Sequence, residues 1–414
     1  MTKAELKGNA EYAAQVIEVK TLNTYEGLDN LRGVPLNGMT ALVPKDTPLG
    51  TLMLAIPAGA QLSEPFARAH NLMRDQGGYI EDNRRVRAIR LRGIPSNILT
   101  VPAPEGVAPG TLLDTLDGET ICWKYEPPVK ANTSQKSPQE GVWKRVDTKF
   151  LPEHIDTSNW YRNEGIVPAD SIFTITQKLH GTSVRLANTI VKRKLSWFER
   201  FAQRFGVTVA ETEYDFVCGS RRVIKDPNNP NQNHFYAEDI YTREGMKFKD
   251  AVPRGFVVYG ELIGWVGQGS PIQANFTYAL PDGQCELFVY RVATVTPDGI
   301  LSELTWPAVR RFCADHGLKH VPEFFTTTVK GAVELSVDDI RDSLGLKFSV
   351  DPPAGLDRWK DAPVQLSANS PCDEGVVIRV DTDRSSLPEF YKAKSAQFLE
   401  HESSMLDIGE EVLS

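Results

Sequence analysis

The sequence has no paired cysteine motif. Its five cysteines, Cys122, Cys218, Cys285, Cys313 and Cys372, are scattered without a C-x-x-C pair, which fits reduced thiols and offers no cysteine zinc site. His316 and His320 have the spacing of a metal pair, but Gly317 lies between them and no HExxH context accompanies them; a loop or helix end is expected there. Also missing are an apolar h-region after Met1 and any apolar run as long as a membrane span, so a cytoplasmic protein with no membrane partner is expected. Basic charge is not in excess. A formal net charge of -8 argues against indiscriminate coating of nucleic acid, though it leaves room for a local basic groove.

What is present is an ordinary globular composition. With 414 residues, 41% hydrophobic and 24% charged, the chain should form two or three domains with a core in each. Short apolar runs at 14–20, 38–44 and 51–57, punctuated by Gly, Pro, Asn and Asp, predict strands and turns. Residues 63–74 predict a short helix capped by Ser63, with Glu64 in its first turn. The run Arg84 to Gly93 predicts a strand with Ile89 and Leu91 on one face and Arg90 and Arg92 on the other. A small barrel with a basic outer strand follows from these elements.

Further on, the run Thr176-Gln-Lys178-Leu-His180-Gly181-Thr182-Ser183-Val-Arg185 follows the alternating stretch 171–176. A lysine at a strand end, just before a Gly-Thr-Ser turn, is placed as a nucleophile. Alone, the tetrapeptide suits an ordinary surface lysine better. It is followed in order by Ser220-Arg221-Arg222, Val258-Tyr259-Gly260-Glu261, Leu287-Phe288-Val289-Tyr290, Asp373-Glu374-Gly375-Val376-Val377-Ile378-Arg379 and Tyr391-Lys392-Ala393-Lys394.

This ordered series resembles the collinear motifs of the covalent nucleotidyltransferases, the superfamily of ATP-dependent RNA and DNA ligases and mRNA capping enzymes. The phrase Arg90-Leu-Arg92-Gly93-Ile-Pro-Ser96 and the segment 106–113 resemble the amino-terminal OB-type domain of the Deinococcus-type, or fifth, family of RNA ligases. Only 395–414 follows Lys394, too short a stretch for the carboxy-terminal barrel of DNA ligases and capping enzymes, so the domain order also favours that branch. The resemblance implies an α+β chain: an OB-type β-barrel at 1–125, a linker at 126–150, and an antiparallel-sheet nucleotidyltransferase domain at 151–414.

It also implies roles. Lys178 would attack the α-phosphorus of ATP, which requires a neutral amine; Lys392 and Lys394, alternating on one strand face, would supply the cationic field that favours it and would hold the α-phosphate. Glu374 would bind Mg²⁺ or Mn²⁺, and Glu261 would lie near the ribose and share in the metal site. Phe288 and Tyr290 share a strand face, and by motif position Phe288 would stack on adenine. Arg221 would contact ribose or the nick phosphate, and Arg222 the nucleic acid. His180, Gly181 and Ser183 complete the nucleotide-binding set; His180 departs from the commonest Lys-x-Asp-Gly pattern, and Ser183 stands where DNA ligases commonly carry arginine.

Arg87, Arg90 and Arg92 are expected to contact nucleic acid, although a solvated strand face would look the same. The insertion at 189–215, basic and amphipathic, could lie against nucleic acid or pack on its own domain. A second insertion at 330–360 predicts a capped helix over Ser336 to Gly345, and the acidic end from Glu400 to Ser414 a frayed end or short helix. The expected partner is a nicked or broken RNA or RNA–DNA duplex, bound by a monomer. A GTP-dependent capping guanylyltransferase and a non-catalytic RNA-binding protein are the rival readings.

Overall fold

The computed structural model of the chain describes residues 2–127, 145–163, 167–168, 171–226, 235–328, 359–381 and 387–407. Its internal contacts define two units: Met1–Val129 with Ser158–Gly165 and Ala393–Val412, and Lys130–Thr157 with Ile166–Lys392 and Leu413–Ser414. The expected helix at Ser336 to Gly345 and most of the expected linker lie outside the described residues.

In the amino-terminal unit the apolar runs form the strands Ala14–Glu18, Met39–Pro44 and Leu52–Pro57. They belong to a six-stranded sheet ordered Leu112–Leu113, Ala14–Glu18, Leu52–Pro57, Ile98–Pro102, Met39–Pro44, Leu31–Leu36. Both faces are apolar, because alternate residues of each strand feed different cores. Val16, Leu54, Ile56 and Val101 pack on one side, and Ile17, Val43, Met53 and Ala55 on the other. Each large aliphatic side chain buried this way contributes about 1.5–3 kcal/mol. The sheet is an open path: among the described residues no pairing joins Leu112–Leu113 to Leu31–Leu36, so these strands do not close the expected barrel.

Two local expectations in this unit need correction. The helix capped by Ser63 covers only Glu64–Ala69, because Asn71 turns left-handed (φ 52°) and Arg74–Gln76 forms a separate 3-10 turn. The arginine strand is only Ile89–Leu91, paired with Ile94–Ser96. Arg92 (φ 50°) and Gly93 (φ 87°) form its tight hairpin turn, so Arg92 does not share a strand face with Arg90, and Leu91 is 37% exposed.

The acidic end of the chain forms the helix Ala396–Asp407, which belongs to this same unit and covers the arginines. The Arg85 side chain is fully buried; its Nη2 donates to the Ser403 carbonyl at 2.8 Å and to the Asp407 carboxylate. Arg87 lies 3.4 Å from Asp407 and 3.6 Å from Glu81, and Arg90 Nε lies 2.6 Å from Glu400 Oε2. Arg92 donates to the Gly27 carbonyl at 2.6 Å. The expected nucleic-acid face therefore carries acidic partners from the same chain.

The second unit contains two largely antiparallel sheets. One runs Thr212–Ser220, Thr182–Lys192, Phe256–Gly267, Cys285–Val295, Leu301–Glu303. The other includes, in order, Glu389–Lys394, Gly375–Asp381, Ile172–Gln177 and Glu323–Thr328. Val191, Val217, Val257, Tyr259 and Ala293 form a core beneath the first sheet with Val146, Phe150 and Leu151. His316 caps the helix Trp306–Asp315, as the sequence suggests for a helix end, and among the described residues no group of three or more His, Cys, Asp or Glu side chains could hold a metal. No described helix is long and apolar enough to cross a membrane.

Candidate active site

Strand register assembles the site. Ile172–Gln177 pairs antiparallel with Gly375–Asp381 so that Gln177 faces Val376, and the Lys178 amide donates to the Gly375 carbonyl at 3.0 Å. The next residue along the chain from each strand end is thus brought together: Lys178 Nζ lies 2.7 Å from Glu374 Oε1. A second pairing sets Ser183 opposite Glu261, with Ser183 Oγ donating to Glu261 Oε2 at 3.0 Å and the Gly181 amide to Oε1 at 3.1 Å. Position 181 requires glycine, because a Cβ there would stand 2.1 Å from the Leu262 carbonyl oxygen.

These groups open into a cavity of about 320 Å³ lined by residues including Lys178, His180, Gly181, Ser183, Arg221, Glu261, Tyr290 and Glu374. The structure thus brings together most of the nucleotide-binding set. Phe288 does not line the cavity; it is buried beside the Lys319 ammonium, 5.7 Å from its ring centre, whereas Tyr290 does line it. Lys392 and Lys394 share a face of Glu389–Lys394, as their alternation predicts, since both are half-buried while Tyr391 and Ala393 are buried. Lys392 is not among the lining residues, and Lys394 Nζ is paired with Glu402 at 2.9 Å. Arg221 reaches Asp156 at 2.6 Å, and Arg222 is exposed.

The carboxylates are deeply buried. Glu374 has no exposed side-chain surface, and its Oε2 stands 3.6 Å from His180 Nδ1. Burial pushes the Glu261 carboxyl up to about 7 against the pull of the Lys178 ammonium and the Ser183 hydroxyl. Burial likewise raises Asp373 to about 7, although Gln177 Nε2 donates to it at 2.7 Å. Burial this deep makes a positive charge beside such carboxylates favourable.

Several supporting residues have no counterpart in the sequence motifs. Tyr278 (φ 50°) accepts the His180 amide on its hydroxyl at 2.6 Å, Gln273 Nε2 donates to the Gly181 carbonyl at 2.7 Å, and the His180 ring meets Phe276 edge-on at 4.7 Å. The loop 272–279 is therefore a buttress for the turn after Lys178. His154 lines the cavity, 3.3 Å from the Tyr290 hydroxyl, and burial with nearby Arg221 and Arg291 lowers it to about 3, so it is a neutral imidazole. Buried Arg185 ties these parts together, donating to the Ser220 carbonyl at 2.7 Å and to Leu151 and Pro152 carbonyls at 2.9 Å.

Comparison with known proteins places this geometry in context. The RNA ligase family model matches residues 171–394, a span that runs from the strand before Lys178 to Lys394. Solved structures of a Naegleria gruberi RNA ligase share the fold. An apo mutant matches with TM-score 0.56 at 15% identity over 96% of this chain and 100% of that one. The form with PPi matches with TM-score 0.55 at 15% identity over 95% and 99%. A mutant with ATP and Mn matches with TM-score 0.53 at 15% identity over 94% and 97%. No curated protein matches the chain.

Proposed function

Because the chain belongs to the RNA ligase family, we propose that it joins RNA ends at the expense of ATP through an adenylylated lysine. The observation that carries this reading is the pairing of Lys178 Nζ with buried Glu374 at 2.7 Å inside a cavity that also holds Glu261 and Arg221. A lysine in such a place is a nucleophile held ready, and Glu374 Oε1 is the acceptor placed to take its proton.

In the first step the Lys178 nitrogen forms a bond to the α-phosphorus while the bond to the bridging oxygen breaks, and pyrophosphate leaves with that electron pair. A 5′-phosphate oxygen next displaces the lysine, which regains a proton, and gives a pyrophosphate-linked adenylylated end. A 3′-hydroxyl then attacks the 5′-phosphorus, AMP leaves, and the phosphodiester is closed. One site serves all three because each is in-line displacement at phosphorus.

The chain's residues fit a divalent cation: Glu261 and Glu374 are buried oxygen donors, and too few protein ligands gather among the described residues to complete a shell without substrate phosphates. Bound Mg²⁺ or Mn²⁺ supplies charge neutralisation for the leaving pyrophosphate. Arg221 offers a bidentate fork to a phosphate once it leaves Asp156. Tyr290, on the cavity wall, stacks on the base in place of Phe288. The substrate is a nick with ribonucleotides on the 3′-hydroxyl side, a preference that rests on the sequence resemblance and suits a role in RNA repair.

Incubation with α-labelled ATP and Mg²⁺ or Mn²⁺, beside Lys178→Ala and a GTP control, tests this reading on a denaturing gel. Label from ATP, lost in the variant, is expected. Label from GTP alone would overturn ATP dependence in favour of capping chemistry. No label after pyrophosphate has stripped any preformed adduct would overturn the enzymatic reading. Equal sealing of an all-DNA nick would remove the substrate preference.

A further inference from the structure

The helix in the insertion between Thr182–Lys192 and Thr212–Ser220 buries none of its own residues against the described part of the domain. These two strands form a hairpin from the Val184–Ser220 pair, beside the site, to the Lys192–Thr212 pair. At its tip stands the helix Trp197–Arg204, started by a capping box between Ser196 and Glu199, and none of its residues is buried. Trp197, Phe198, Phe201 and Phe205 are 67%, 66%, 53% and 72% exposed. At helical spacing these four fall on one arc, and Arg200 and Arg204 line its margin. Neither arginine has a carboxylate partner among the described residues, whereas Arg193 is paired with Glu199.

We propose that this helix is a docking platform for an RNA strand that extends away from the sealing site, its rings stacking on bases and Arg200 and Arg204 holding phosphates. The proposal rests on the ligase reading and adds a distal subsite to it. Charge favours a polyanion, since two guanidiniums without a carboxylate partner among the described residues flank the rings. Flat exposed rings such as Trp197 and Phe198, stacked at 3.8 Å, offer the π-faces on which bases stack, and the hairpin that carries them starts beside the site where RNA ends are joined. The hairpin also gives a length: eight residue steps at ~3.3 Å set the platform roughly 26 Å from its base, on the order of eight nucleotides at ~3.4 Å per phosphate.

The test titrates full-length protein with a labelled nicked RNA duplex carrying long arms, and with versions trimmed below ~8 base pairs on either side. The triple variant Trp197→Ala, Phe201→Ala, Phe205→Ala should weaken binding of the long substrate about tenfold or more, and tyrosine at the same three positions should restore most of it. Arg200→Ala with Arg204→Ala should lower the slope of log affinity against log salt by about 2. On the substrate trimmed on the contacting side, wild type and variants should bind alike.

Lysine labelling by ATP should be unchanged in every variant, so absent labelling in wild type counts against the ligase reading and leaves the binding comparison to judge the platform. Long-substrate binding equal to wild type in the alanine triple variant would overturn the proposal. So would loss, in that variant, of binding to phosphatidylserine vesicles or of self-association by sedimentation while RNA binding persists, which would assign the face to a membrane surface or to a second copy.

Discussion

Two sets of basic residues singled out in the sequence are treated in opposite ways by the fold. In the amino-terminal unit, Arg85, Arg87 and Arg90 are met by Asp407 and Glu400 of the helix Ala396–Asp407. In the catalytic unit, Lys178 and Arg221 also have acidic partners, yet they line a cavity open to a ligand. The difference is what remains when the pair forms. Arg85 is sealed from water and serves stability, whereas Lys178 keeps 16% of its side-chain surface and Arg221 keeps 41%, so a substrate can displace the partner. A basic residue is assigned a role by whether its partner can be exchanged, and composition alone does not show this.

Removing the exchangeable partner should have the largest effect. Glu374→Gln should slow lysine labelling by about 10²-fold or more while leaving the melting temperature near wild type, because it removes preorganised charge at the reacting amine. Next comes a purely structural acid in the same unit. Burial alone would raise Glu323, but Lys360, Thr326, Arg310 and Trp306 together hold it at about 2. Its folded value lies below its unfolded one, so its stabilisation is present above the ordinary carboxylate range and is lost as pH falls toward 2. Glu323→Gln should destabilise by about 3–5 kcal/mol at neutral pH and flatten the acid limb of a melting-temperature profile, with labelling at low temperature retained.

Within the amino-terminal unit, Asp407→Ala should cost about 2–3 kcal/mol in chemical denaturation, since it leaves the Arg85 guanidinium buried without its carboxylate. Arg90→Ala, which breaks a half-exposed pair with Glu400, should cost under about 1 kcal/mol. If Arg90→Ala instead weakened RNA binding as strongly as Arg221→Ala, the contrast between the two clusters would fail. Ser183→Ala should be mildest in the catalytic unit, lowering the labelling rate about fivefold through loss of one hydrogen bond to Glu261.

Much of the catalytic cavity was legible in the sequence because its chemistry sits on strands next to recognisable short motifs. Lys178 and Glu374 flank the ends of two paired strands, whereas Glu261 lies inside Phe256–Gly267 opposite Ser183 and not at a strand end, and antiparallel register brings the three together. The buttress from Gln273, Phe276 and Tyr278 was not legible, because it lies in a loop whose left-handed residues, Asn275 and Tyr278 among them, carry no periodic signal. Arg92 was misread as a strand residue because alternation continues into a two-residue turn unless the Arg92-Gly93 pair is given its turn propensity. The acidic helix over the arginines was missed for a different reason: some 310 residues separate Arg90 from Glu400, and only the complementary signs of the two segments could have hinted at their pairing. Among the described residues the amino-terminal strands form an open six-stranded path with apolar residues on both faces, and no pairing closes the barrel expected from the resemblance.

The most direct measurement is peptide mass mapping of protein incubated with ATP and Mn²⁺, then digested under conditions that preserve a phosphoramidate. The account predicts one adenylyl group, located on Lys178 and removed by pyrophosphate. An adenylyl group on another residue, or an unmodified Lys178 in protein that nevertheless seals RNA, would contradict it.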